Sequence, residues 1–153
     1  MTSLFHFRLQ TLLRLRIAER DQRRAELAKA IRAEELLRAE EAKLLSQQAE
    51  AAERSRQLKS PGAANVDGLL QTHRFEVVLA AQRRQLASQL SQVEAETNRR
   101  RLVLVEADRQ VRVLEKLRER QAAAYRQQAE RQAAKQFDEI AGLAYARRRE
   151  VAS

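Results

Sequence analysis

Lys59-Ser-Pro-Gly-Ala-Ala-Asn-Val-Asp-Gly68 divides the 153-residue chain in two, because it holds the only proline and two of the three glycines. Pro61 removes a backbone donor and Gly62 tolerates left-handed geometry, so a preceding helix should stop at the start of this stretch. On both sides the helical pattern is long and uninterrupted. The sequence therefore predicts a helix over about 3–58, a tip loop over 59–68 and a helix over about 69–149.

Composition favours long helices over a compact globule. Aromatic residues make up 4% of the chain and charged residues 33%, and there is no tryptophan. Alanine, leucine, glutamate, arginine and glutamine dominate, and these are the best helix formers. The absence of cysteine excludes a disulfide framework, a thiolate metal site and a cysteine nucleophile. An all-α protein that acts by binding partners is the expectation.

The side chain of Asn65 or Asp67 can cap the second helix at its start. On both sides of the loop the sequence carries a seven-residue apolar repeat. The second flank offers the row Leu86, Leu90, Val93, Thr97, Arg100, Leu104, Ala107, Val111 and Leu114. The first offers Ala30, Leu37, Leu44, Ala51 and Leu58, beside a mostly polar companion row. A short connection makes neighbouring helices antiparallel. The predicted fold is a single coiled-coil rod over 1–153, a long two-helix antiparallel hairpin whose longer second helix overhangs at its C-terminus.

The register follows from the position of the tip. With the tip near residue 63, residue n faces roughly residue 126 − n, which sets Leu44 opposite Gln82 and Phe5 opposite Gln121. The second helix then overhangs by about 40 Å. Four apolar residues follow helical spacing along this overhang and have no partner in the chain: Ala133, Phe137, Ile140 and Ala144. An unpaired apolar stripe marks an interface, since a frayed end would leave it in water.

The net charge of +9 is spread along the chain and interleaved with acids. Several acids precede a base by four residues, which favours pairs within a helix: Glu19–Arg23, Glu34–Arg38, Glu50–Arg54, Glu96–Arg100 and Asp108–Arg112. A solvated helix face is thus favoured over a nucleic-acid surface. A basic protein of this kind can also sit in an acidic protein socket.

No pattern points to catalysis, a metal or a membrane span. The glycines stand apart, so no phosphate-binding loop is present, and His6 and His73 lie at opposite ends of the predicted hairpin. The longest purely apolar run, residues 77–81, is far shorter than the roughly 20 residues a membrane span needs. Arginines interrupt the start of the chain, which is unlike a signal peptide. We expect no cofactor and no catalytic residue.

Two further segments have a functional and a structural interpretation. Phe5 and Phe7, followed by a run of arginines, fit either ordinary packing between the two helices or a basic end that enters an acidic socket on a partner protein. Phe75 and Leu79 share a face one turn apart just after the tip. That face fits packing against the first helix and binding of a partner equally well.

The same segments resemble the flagellar export protein family FliJ, with its YscO-type relatives in injectisomes. The start, Phe5-His-Phe-Arg-Leu-Gln-Thr-Leu-Leu-Arg-Leu-Arg16, is similar to the family's start. The end is the stronger match: Leu114-Glu-Lys-Leu-Arg-Glu-Arg-Gln121, then Tyr125, then Phe137-Asp-Glu-Ile-Ala141 and a basic terminus. The layout of two unequal helices and a short tip is similar over nearly the whole chain.

The resemblance implies a non-catalytic cytoplasmic stalk of the flagellar type III export apparatus, similar to the gamma subunit of rotary ATPases. It implies insertion in the hexameric export ATPase FliI through the overhang, with Ala133, Phe137, Ile140, Ala144 and Tyr145. It also implies contact with the export gate FlhA through Phe75, Leu79 and Leu86, the last at a position where family members often carry a polar residue. Export chaperones are further partners, no nucleic acid is expected, and the inner membrane at the flagellar base is reached only through partners. The alternatives are a scaffold that dimerises through the overhang and a basic nucleic-acid-associated helical factor.

Overall fold

The protein, seen in a computed structural model that describes residues 4–62 and 65–152, consists of two helices packed against each other. Helix α1 spans Gln10–Leu58 and helix α2 spans Val66–Val151. No strand occurs in the described ranges. The predicted all-α hairpin with a longer second helix is confirmed.

Local chemistry at the tip sets the ends of both helices. Gly62 has a φ of 110°, a left-handed conformation that a residue with a Cβ adopts only with strain. At the start of α2, the side-chain Oδ1 of Asn65 accepts a hydrogen bond of 3.0 Å from the backbone N–H of Gly68. This bond satisfies one of the free donors of the first turn, so Asn65 is the predicted cap. Because the cap lies there, α2 begins at Val66, three residues before the predicted start.

The first helix begins later than predicted, at Gln10 and not near residue 3. The N–H of Gln10 donates to the carbonyl of Phe7 at 3.1 Å, so a turn precedes the helix. Non-helical backbone over residues 4–7 carries Phe7 into the core, where it is 4% exposed. Burial of this aromatic ring outweighs continuation of the helical pattern.

The chain packs as two units, and one of them comprises residues 21–106. Its core contains Leu44 and Ala51 from α1 and Leu79 and Leu86 from α2. The predicted apolar row of α1 is buried or half-buried throughout, as is the part of the α2 row in this unit. These rows are confirmed as the seam between the helices.

A polar layer interrupts the seam of this unit. The hydroxyl of Thr97, which is 1% exposed, donates to the carbonyl of Val93 at 2.9 Å. The guanidinium of Arg100 reaches across to α1 and donates to the main-chain carbonyl of Glu26 at 2.6 Å. In the described ranges every buried side-chain nitrogen and oxygen has a hydrogen-bond partner. The two polar seam positions are therefore accommodated without an orphaned group.

The other unit comprises the start of the chain, to Arg20, and the chain from Ala107 onward. Its core is Phe7, Leu13 and Val111. Further apolar side chains pack around this core: Phe5, Ile17, Leu114 and Leu117. The ring of Phe5 also lies against that of Tyr125, with centroids 5.8 Å apart.

The helices pair antiparallel, and their contacts scatter around the predicted register: Arg100 reaches the Glu26 carbonyl at the predicted level, whereas two other contacts fall four and six residues beyond it. Phe5 lies against Tyr125 and not Gln121, and Arg38 bonds Glu94 at 3.0 Å, six residues beyond its predicted partner. Side chains tilt toward the N-terminus of their own helix. In an antiparallel pair the two tilts oppose each other along the interface, so side chains meet about two residues beyond the level of their Cα atoms. The tilt accounts for part of the difference.

Ion pairs within the helices follow the predicted spacing in three cases, listed with their shortest distances: Glu34–Arg38 at 2.7 Å, Glu96–Arg100 at 2.7 Å and Asp108–Arg112 at 2.8 Å. Glu19 bonds Arg16 at 2.9 Å instead of its predicted partner, and Arg23 bonds Glu26 at 3.1 Å. Exposed pairs of this kind contribute about 0–1 kcal/mol each, so packing of the seam dominates stability.

Candidate functional site

Candidate sites on this molecule are exposed faces. Across residues 4–62 and 65–152, no three histidine, cysteine, aspartate or glutamate side chains come together to hold a metal ion. No helix in that part of the chain has an apolar stretch long enough to cross a membrane. His73 lies 3.9 Å from Glu76 on the same helix, at the surface.

Residues 126–152 form the C-terminal segment, in which every residue is exposed although the helix is continuous. Three of its large side chains were predicted to bind the ATPase ring: Phe137 is 72% exposed, Ile140 is 63% and Tyr145 is 66%. Ala133 and Ala144 are exposed as well. The segment follows Tyr125, which contacts Phe5 and ends the paired part of α2. Nothing in its own unit covers these side chains.

Helical spacing gathers most of this apolar surface on one side. Ile140 and Ala144 follow Phe137 by three and seven residues, and Ala133 precedes it by four, so the four residues share a face. Tyr145 and Leu143 lie on opposite flanks of the face. Leu143, 65% exposed, was not among the predicted residues, although it stands in the same apolar run. The face therefore consists of two large exposed apolar side chains, Phe137 and Ile140, and two exposed alanines.

The second predicted surface, just after the tip, is only partly available. Phe75 is 44% exposed, whereas Leu79 is 1% and Leu86 7% exposed, and both leucines lie in the core with Leu44 and Ala51. Of the three residues predicted to contact the gate, the structure thus exposes Phe75 and buries the two leucines. The leucines face the seam because they continue its seven-residue repeat. Any part that they take in partner binding stays a prediction and would require the helices to separate.

Exposed valines near Phe75 were missed by the sequence analysis. Val78 follows Phe75 by three residues and is 51% exposed, so the two share the flank beside the seam. Val66, Val77 and Leu70 are 64%, 55% and 47% exposed and lie on the side away from the seam. The three-residue spacing of Phe75 and Val78, which places both on one side of a helix, could have predicted this exposed pair from the sequence.

Folding separates the charge that is mixed along the sequence. The unit holding both chain ends, residues 1–20 and 107–153, contains 15 of the 30 Lys and Arg but eight of the 21 Asp and Glu, for a net +7. Residues 21–106 contain 15 basic and 13 acidic residues, for a net +2. Most of the excess positive charge therefore belongs to one unit.

In the less charged unit, two arginines share one carboxylate. Arg99 donates to both oxygens of Glu96, at 2.7 and 2.8 Å, and Arg100 donates to one of them at 2.7 Å. The hydrogen bonds from Arg99 and then Arg100 lower the pKa of Glu96 from 4.5 to about 2. Glu96 thus remains ionised and steadies the arginine that crosses the seam.

Comparison with known proteins identifies the family. Over residues 5–150 the chain matches the family described as flagellar FliJ protein. Neither the curated proteins nor the solved structures contain a match to the chain. The family match covers nearly the whole chain and agrees with the resemblance carried by its two ends. The chain belongs to the flagellar FliJ protein family and is a flagellar, export-related protein.

Proposed function

We propose that the protein is the non-catalytic stalk of the flagellar type III export apparatus, inserting in the hexameric export ATPase ring and linking it to the export gate. Family membership supports the export setting. The stalk role is supported above all by the C-terminal segment, which is helical without a break to Val151 and exposed over residues 126–152. A helix that projects beyond its partner helix has the form needed to enter a pore.

Ring binding is assigned to the apolar face of that segment. Water contact with Phe137 and Ile140 is unfavourable, and burying such a side chain contributes about 1.5–3 kcal/mol. Because nothing in their own unit covers these side chains, this free energy is available only when a partner does. Ala133, Ala144 and Tyr145 complete the contact surface.

Phe137→Ala tests this assignment against a matched control. Leu36 is 73% exposed, nearly equal to the 72% of Phe137, but lies on α1 in the other unit. In a binding assay with purified ATPase hexamer, Phe137→Ala should weaken binding strongly while Leu36→Ala leaves it near wild type. Equal effects of the two variants, or a dimer of the free chain that buries Phe137, would count against the stalk.

Gate binding is assigned to Phe75, the exposed member of the predicted triplet. Leu79 and Leu86 follow it on the same side of α2 and lie in the core of this unit. Phe75→Ala should therefore weaken binding to the gate protein, measured with purified components. Leu45→Ala is the control, since Leu45 is 46% exposed and lies on α1. A loss of helicity that parallels the loss of binding would show that Phe75 acts in packing alone.

The remaining features of the proposal follow from this role. The protein needs no cofactor and catalyses no reaction, and it is cytoplasmic, reaching the inner membrane at the flagellar base through the gate. Export chaperones are further partners. A pull-down of the ATPase and the gate protein from the source cell, with the full chain as bait, tests the set together.

A further inference from the structure

Residues 4–7 form the N-terminal arm, a stretch of non-helical backbone that precedes α1. Its side chains alternate in exposure along the chain. Phe7 is 4% exposed and Phe5 is half-buried. Leu4, by contrast, is 95% exposed, and His6 is exposed as well. This alternation is the pattern of an extended segment that turns one side to a packed surface, so the N-terminal arm lies with its two aromatic side chains inward.

Extended backbone lets the N-terminal arm reach further along α2 than a helix would. Val111 packs with Leu13, and Tyr125 lies 14 residues beyond Val111, a rise of about 21 Å along α2. A helix from Leu13 back to Phe5 would span only about 12 Å. Extended backbone outward from Gln10, where α1 begins, lengthens this span to as much as about 21 Å. The extra reach brings the ring of Phe5 against that of Tyr125, with centroids 5.8 Å apart.

The contact with Phe5 coincides with the point at which α2 loses its cover. Leu117 packs around the core that contains Phe7, and Tyr125, eight residues later, is half-buried. Beyond it every residue of the C-terminal segment is exposed. All of these residues belong to one unit of the chain.

We infer that the N-terminal arm is a clamp that sets where the uncovered part of α2 begins. With the clamp closed, α2 is covered as far as Tyr125; with the clamp released, its uncovered part begins about two turns earlier, after Leu117. Most helical stability in proteins comes from packing, and a helix without it is marginal in water. The two turns before the C-terminal segment therefore depend on Phe5 for their stability.

Hydrogen exchange of the full chain, followed by mass spectrometry, tests the clamp, because exchange reports local opening of the helix. Phe5→Ala should speed amide exchange over residues 118–129 about three- to tenfold, the range expected for loss of an aromatic pair. Exchange over residues 69–100 should stay near wild type. The matched control is Leu4→Ala, which truncates the adjacent outward side chain and should leave both regions near wild type. The clamp acts within the chain, so the test needs no partner protein and is independent of ring binding.

Tyr125→Ala approaches the same contact from α2. If the two rings stabilise the helix through each other, the double variant should speed exchange over 118–129 little more than either single variant does. This comparison separates the contact from a general effect of truncating an aromatic residue.

Three results would overturn the clamp. The first is equal exchange in Phe5→Ala and Leu4→Ala. The second is faster exchange over 69–100 as well as 118–129 in Phe5→Ala, which would show that Phe5 supports both units and not the end of the covered helix. The third is a double variant whose effect is the product of the two single effects, which would assign Phe5 and Tyr125 to separate contacts.

Discussion

Truncating Leu79 should destabilise the protein far more than truncating Phe75, although the two side chains are one turn apart. Leu79 is 1% exposed and packs with Leu44 and Leu86. Leu79→Ala removes three buried carbons at about 0.8 kcal/mol each, and an unfilled cavity adds to this, for a total of about 2.5–3.5 kcal/mol. Phe75 is 44% exposed, so its truncation loses about half of a buried ring's contribution, roughly 1 kcal/mol. Alanine's better helix propensity offsets about half of that loss.

Chemical denaturation followed by far-ultraviolet circular dichroism measures both values on the full chain. The expected order is a large fall in the free energy of unfolding for Leu79→Ala and a fall of about 0.5 kcal/mol for Phe75→Ala. Leu45→Ala, at similar exposure on α1, gives the baseline for a half-exposed apolar residue. Equal costs for Leu79→Ala and Phe75→Ala would refute the assignment of Leu79 to the core and Phe75 to the surface.

Three other outcomes follow from the packing and the charges. Truncation after Gln128 should leave the melting temperature nearly unchanged, because residues 126–152 are exposed; a marked fall in calorimetry would reveal internal packing. Phe7→Ala should cost about 3–5 kcal/mol in denaturant unfolding, since the ring is 4% exposed, and a cost below about 1 kcal/mol contradicts its burial. The lowered pKa of Glu96 should give wild type a stability advantage over Glu96→Gln above pH 4.5, lost as the pH falls from 4.5 to about 2. The difference in melting temperature between wild type and Glu96→Gln across that pH range measures this advantage. A difference that grows toward low pH would contradict the lowered pKa.

Features set by local chemistry were predictable from the sequence. Asn65 caps α2 as expected, and Gly62 takes the left-handed conformation that its place after Pro61 suggested. The seam was predictable too, because a seven-residue apolar repeat places its members along one side of a helix, which is the side that packs against the partner helix. The exposure of Phe137 followed from the unequal lengths of the two helical patterns.

Features set by tertiary packing were not predictable. The sequence continues its helical pattern through the first residues, so only contact with Val111 and its neighbours shows why Phe7 lies in non-helical backbone. The levels at which side chains meet across the pair depend on their tilt and length as well as on the loop. The resemblance assigned Leu79 and Leu86 to gate contact, whereas the apolar repeat already placed Leu86 between the helices and left Leu79 open; their burial shows which side of the helix each occupies.

The contacts in the two units join residues at very different separations along the chain, which bears on the order in which the helices pair. Leu44 and Leu86 are 42 residues apart, whereas Phe5 and Tyr125 are 120 apart. Closing the longer loop first would cost about 1 kcal/mol more in chain entropy. Once Arg100 has bound the Glu26 carbonyl, however, contact between Leu13 and Val111 closes only the two short segments 13–26 and 100–111. We therefore expect contacts near the tip to form first, and the aromatic contact between Phe5 and Tyr125 to form last.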